Sequence, residues 1–182
     1  MGWIIFISVV VLIILYVISA YNGLVKLRNK VKTNWSQIDV VLKRRADLIP
    51  NLVETVKGYA GHENQTLKSV VEARNKYVSA SSQEEQIASA GELTGALNRL
   101  MVLSESYPDL KANTNFMELQ KTVKETEDKI QYARQFYNDS VYQYSNKTES
   151  FPSVIIANMF GFKPFTLFEI EQQDKEVPKV SF

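Results

Sequence analysis

From Trp3 to Tyr21 the chain reads WIIFISVVVLIILYVISAY, apolar at nearly every position and free of charge. A helix needs about 20 such residues to cross the hydrocarbon core of a bilayer, so this run predicts a membrane span. Ile5, Phe6, Leu12 and Leu15 would face acyl chains, while Trp3 and Tyr21 would set their rings at the two headgroup layers. A secretory signal is the rival reading, and Ile18-Ser19-Ala20 passes weakly as a cleavage site. Only Met1 and Gly2 precede the run, however, leaving no basic n-region, so a retained anchor is expected.

The pattern then narrows to a stripe. Leu24, Leu27, Val31, Trp35, Ile38 and Leu42 step by three and four, as on one face of an amphipathic helix. Pro50 lacks an amide donor and disrupts helix interiors, so a bend or break is expected between Asp47, as N-cap, and Pro50. The next helix would carry Leu52, Val53, Val56, Tyr59, Ala60, Leu67, Val70, Val71, Arg74 and Tyr77, with Gly58 and Gly61 marking a kink or a close approach. Ser79 to Gln83 reads as a linker, and a third helix would carry Ile87, Ala90, Thr94, Leu97, Met101 and Ser104 up to Tyr107-Pro108. After a cap at Asn113 or Thr114, the positions Phe116, Leu119, Val123, Thr126, Ile130, Ala133, Tyr137, Val141 and Tyr144 step close to a heptad, a seam for nearly parallel or antiparallel packing. Ser153 to Phe160 allows two further helical turns, with Gly161 ending them.

The expected fold class is therefore all-α: an N-terminal transmembrane helix, then an antiparallel helical bundle with long coiled-coil-like helices, then a short C-terminal aromatic segment. The expected domains are the anchor at 1–25, the bundle at 26–150 and an aromatic, then acidic, tail at 151–182.

Charge adds orientation. Lys26, Arg28, Lys30 and Lys32 follow the span with no acid among them, a block that favours the cytoplasmic side and attracts anionic lipid. The net charge of +1 over 182 residues gives no basic face for nucleic acid. With no cysteine and one histidine, His62, there is no thiol nucleophile, disulfide, lipoprotein acylation site or histidine-based metal cluster. No cofactor is expected.

Three stretches, RRADLIPNLVETVKGYAGHE at 44–63, SYPDLKANTNFMELQ at 106–120 and FPSVIIANMFGF at 151–162, make the chain resemble the LemA family over essentially its whole length. In the first two, Arg44, Arg45, Asp47, Pro50, Asn51, Tyr107 and Pro108 are the motif positions. The resemblance implies a single-pass bacterial inner-membrane protein with an antiparallel bundle, no established enzymatic activity and no cofactor. It supplies no mechanism.

Each candidate site has a plainer reading. His62 and Glu63 are helix neighbours that do not face each other, so a solvated histidine is expected rather than an acid–base pair. Arg44, Arg45 and Asp47 either bind a partner's carboxylates or lipid phosphates, or fix the bend by pairing with a nearby acid. The phenylalanines of the tail, Phe151, Phe160, Phe162, Phe165 and Phe168, exceed what a closed bundle needs and are expected to dock. A neighbouring subunit is favoured over lipid, because acids follow at Glu169, Glu171, Asp174 and Glu176. The leading function is a membrane-anchored, non-enzymatic scaffold or oligomeric interaction protein. Its partners would be the bilayer, further copies of the chain and other membrane proteins, and the bundle would lie in the cytoplasm. The alternative is a membrane-surface or membrane-shaping protein acting through the basic block. An enzyme ranks last, since no nucleophile–base pair, metal set or phosphate cradle is present in the sequence.

Overall fold

The computed structural model describes residues 1–60 and 65–169. His62 and the acids from Glu171 onward lie outside these residues. Among the described residues six helices follow one another: α1 (Gly2–Ala60), α2 (Gln65–Ser79), α3 (Gln83–Ser104), α4 (Pro108–Lys111), α5 (Thr114–Glu149) and α6 (Ser153–Met159). The described residues contain no strand, and the all-α expectation holds.

Helix α1 runs unbroken through Asn22-Gly23 and through Pro50, which corrects the expected break and removes Asp47 as an N-cap. Local sequence argues for interruption, since an interior proline costs about 3 kcal/mol or more. Tertiary contacts supply the answer. Pro50 cannot donate to the carbonyl four residues back, Ala46, and the Arg74 Nε donates to that oxygen instead at 3.3 Å. Ala46, Ile49, Leu52, Val53 and Val56 are buried on one side of the helix while the proline is exposed on the other. Residues up to Ala60 thus extend α1 instead of opening a new helix. Gly58 has no atom within 4 Å of where a Cβ would stand, so it marks no close approach, and Tyr59 and Val71 of the expected stripe are exposed.

The chain folds as two compact units. The first comprises Met1–Asp39 and Gln131–Leu167, and the second Val40–Ile130 with Phe168 and Glu169. In the first unit α1 and α5 are antiparallel. The Lys30 ammonium donates to Gln143 Oε1 and the Asn34 amide to the Phe136 carbonyl, so numbers rise along one helix as they fall along the other. Leu24, Val31 and Ile38 of α1 and Tyr137, Val141 and Tyr144 of α5 are buried there, and Trp35 meets the edge of Tyr137 at 5.4 Å.

The second unit closes on Ile49, Leu52, Val56, Val70, Leu93, Leu97, Leu100, Leu110, Phe116 and Val123. Here too α1 opposes α5, through Arg45 to Glu127 and Tyr59 to Asn113. Helix α3 begins with a capping box that the sequence spells as Ser82-Gln83-Glu84-Glu85, a local signal that the reading of this stretch as a linker passed over. Ser82 Oγ accepts from the Glu85 amide, and the Glu85 carboxylate accepts from the Ser81 and Ser82 amides. Those bonds hold the Glu85 carboxyl below its usual pKa. Tyr107-Pro108 ends one helix and starts the short α4, and Asn113 Oδ1 caps α5 by accepting from the Phe116 amide at 3.0 Å. The heptad seam is buried along its length, with only Leu119 and Ala133 partly open.

Candidate functional site

Two constellations stand out, one in each unit. In the second unit Arg45 is 1% exposed. Its Nη1 donates to Glu127 Oε1 at 2.6 Å and to Thr94 Oγ1 at 2.7 Å, and its Nη2 to the Ala90 carbonyl at 3.0 Å. A single guanidinium fork so ties α1, α3 and α5, which a lysine's point charge would not do. The sequence left Arg44, Arg45 and Asp47 open between partner binding and pairing with an acid. For Arg45 the geometry is the second, with an acid 82 residues away, whereas Arg44, Asp47, Pro50 and Asn51 are exposed.

The first unit holds an aromatic and cationic cluster at the end of the apolar run. The Tyr21 ring meets Phe160 at 4.8 Å and Phe162 at 5.7 Å, both edge-on. The Arg28 guanidinium sits 5.1 Å from the centre of the Phe162 ring. Ile156 and Ala157 of α6 are buried with Ala20 and Leu24 of α1, and Val17 and Phe162 line the same cluster. Helix α6 ends as the glycine spacing predicts. Gly161 takes φ +67°, and the Phe162 amide reaches back to the Ala157 carbonyl at 2.9 Å.

From Phe162 to Glu169 the chain has no regular structure, and tyrosines of α5 satisfy carbonyls there. The Tyr144 hydroxyl donates to the Lys163 carbonyl at 2.9 Å and the Tyr137 hydroxyl to that of Thr166 at 2.7 Å. The Phe165 ring meets Tyr144 at 5.1 Å. Burial raises the Tyr144 pKa above the usual tyrosine value, and the nearby Arg28 charge opposes the rise. Thus Phe162 and Phe165 are engaged within their own unit and Phe168 is buried, while Phe151 is 81% and Phe160 51% exposed. The hydroxyl bonds carry no sequence signal beyond the presence of Tyr137 and Tyr144 in the seam.

The basic block divides. Lys26, Lys30 and Lys32 are exposed, with Lys30 bonded to Gln143, whereas Arg28 is stacked. Among the described residues no group of three or more His, Cys, Asp or Glu side chains stands close enough to hold a metal.

The side chains of Trp3, Ile5, Phe6, Leu12 and Leu15 are all more than half exposed, a belt of apolar surface that a bilayer covers and water does not. Fold and boundary cluster together define a membrane-associated helical protein with one candidate span among the described residues. The chain belongs to the LemA family, whose model matches residues 34–182. That match begins beyond the span and the basic block. The chain is 26% identical to Protein LemA of Metamycoplasma hominis, over 87% of its own length and 74% of the relative's. It is 25% identical to magnetosome protein MamQ 2 of Paramagnetospirillum magneticum, over 88% of this chain and 68% of that one. The magnetosome protein MamQ of Magnetospirillum gryphiswaldense is also 25% identical, over 81% and 64% respectively.

Proposed function

We propose that this protein is a single-pass, non-enzymatic scaffold of the bacterial inner membrane, holding its helical units at the cytoplasmic face and assembling copies of itself and other membrane proteins there. Retention of the span is supported by Val17, Ala20 and Leu24, which pack with α6 and so belong to the folded protein. The basic residues following Tyr21 support the cytoplasmic orientation. The observation that carries the scaffold reading is the outer side of α5 in the first unit. Tyr132, Phe136 and Tyr142 are each at least 60% exposed there, while the seam of the same helix is closed. Exposed aromatics are the side chains that protein interfaces favour.

Light scattering of the detergent-solubilised full chain is expected to give a multiple of 20.8 kDa. The double variant Tyr132→Glu/Phe136→Glu is expected to reduce it. A monomeric parent would refute the scaffold. Protease added to intact spheroplasts is expected to spare the helical units and to digest them after lysis; digestion before lysis would reverse the orientation. A second reading rests on Lys26 and Lys32, which stay exposed beside the span and would each contribute about 1 kcal/mol toward an anionic surface. It predicts that replacing both by Gln weakens association with phosphatidylglycerol vesicles and leaves the oligomer unchanged.

A further inference from the structure

From Ser150 to Phe162 the chain carries no charged residue, and α6 lies within this stretch. One side of α6 is spent. Ile156 and Ala157 are buried with Ala20 and Leu24 of α1. The other side is open and apolar: Met159 is 69% exposed and Ile155 52%, with Phe151 and Phe160 beside them. Nothing in a water-soluble surface requires four large apolar side chains on and beside so short a helix.

The place of α6 along α1 says what covers that side. Val17 to Leu24 are the turns where the apolar run ends, so α6 packs at the height where hydrocarbon gives way to headgroups. Leu15 and Ile18 of α1, within one turn of Val17, are likewise apolar and exposed. Lys26 and Lys163 are exposed and Arg28 lies over Phe162, as a phosphate layer favours, while the exposed Glu149 precedes the uncharged stretch. Tyr21, wedged by Phe160 and Phe162, marks the same level. The acids that disfavoured lipid for the whole tail begin only at Glu169, beyond the segment fastened by Tyr137 and Tyr144.

We infer that α6 is a membrane-interface element whose open face, Phe151, Ile155, Met159 and Phe160, beds into the acyl boundary of the leaflet beside the end of the α1 span. The occupant of that face is lipid. The span is then not a lone tether: α6 and the fastened segment after it brace α1 at the interface, which fixes how the first unit leaves the membrane. The inference rests on α1 being a retained span.

The absence of cysteine makes the test direct. Single cysteines replace Ile155, Met159, Ile13 in the span and the exposed Lys147 in the full chain. Each is labelled with a bimane probe and reconstituted in vesicles of phosphatidylcholine and phosphatidylglycerol. Quenching is read with lipids bearing a nitroxide at a shallow or deep acyl position, and with aqueous iodide. The expected result is several-fold stronger quenching by the shallow nitroxide at positions 155 and 159 than at 147, with protection from iodide. Position 13 should respond to the deep nitroxide. Iodide quenching at 155 and 159 equal to that at 147 overturns the inference. Protection from iodide without nitroxide quenching also overturns it, since a second copy then covers the face. Iodide quenching at position 13 is a different failure, that of the span itself.

Discussion

Replacing Arg45 by Ala removes a side chain that joins three helices of the second unit. The guanidinium leaves behind the Glu127 carboxylate, the Thr94 hydroxyl and the Ala90 carbonyl. These losses are unequal. The Ala90 carbonyl keeps a donor, because Thr94 Oγ1 also bonds it at 3.0 Å. The Glu127 side chain is 27% exposed, so it turns toward water instead of remaining a trapped charge. Breaking a buried pair by truncating one partner costs about 3–5 kcal/mol, and these two escapes place this case near 3 kcal/mol. For a chain of this size that is a fall in melting temperature of about 6–12 °C, at about 2–4 °C per kcal/mol. Arg45→Met keeps the buried stem and should fall somewhat less. The double variant Arg45→Met/Glu127→Leu leaves no unpaired charge and should melt at or above the Arg45→Met single variant. The assay is thermal unfolding of the detergent-solubilised chain followed by far-UV circular dichroism. An Arg45→Ala variant melting within about 2 °C of the parent would refute the reasoning, because less than 1 kcal/mol would then ride on the network.

The remaining expectations concern the helices and pH. Pro50→Ala should stabilise the chain by up to about 3 kcal/mol, and Arg74→Leu should destabilise the parent more than it does the Pro50→Ala variant, whose new amide reclaims the Ala46 carbonyl; a double-mutant cycle with no coupling would remove Arg74 from that role. Ile130 is 2% exposed and Lys129 fully on the solvent side, so Ile130→Asp should cost several kcal/mol, on the order of that for a buried unpaired charge, and Lys129→Asp far less. Equal melting temperatures would mean the seam is misassigned. The Glu85 carboxyl titrates below its unfolded value, so its contribution to the α3 cap is present above that value and fades as pH falls through the folded one. Glu85→Gln should therefore flatten the loss of melting temperature below about pH 5, and an unchanged slope would assign that loss to other carboxylates.

Period and charge along the chain determined most of this architecture by themselves. The span at Trp3 to Tyr21, the stripe from Leu24 to Leu42 and the seam from Phe116 to Tyr144 are legible because burial on one side of a helix imposes a 3.6-residue rhythm that no context alters. Caps at Asn113 and Gly161 are legible for the same reason, being local geometry. Tertiary structure decided what depends on residues far apart in sequence. Pro50 reads as a break because its lost hydrogen bond is local, while its replacement comes from Arg74, whose bond to Ala46 spans 28 residues. Arg45 reads as a bend residue or a ligand until Glu127 and Thr94 are brought to it. The tail shows the same division. Five phenylalanines announce unspent apolar surface, but their allotment rests on positions no periodicity records. Tyr21 and Arg28 take Phe162, Tyr144 takes Phe165, and Phe151 and Phe160 stay open beside the span. Hydrophobicity is a property of the side chain and is read off the sequence; a partner is a property of the fold, because only closure of the chain puts one residue next to another.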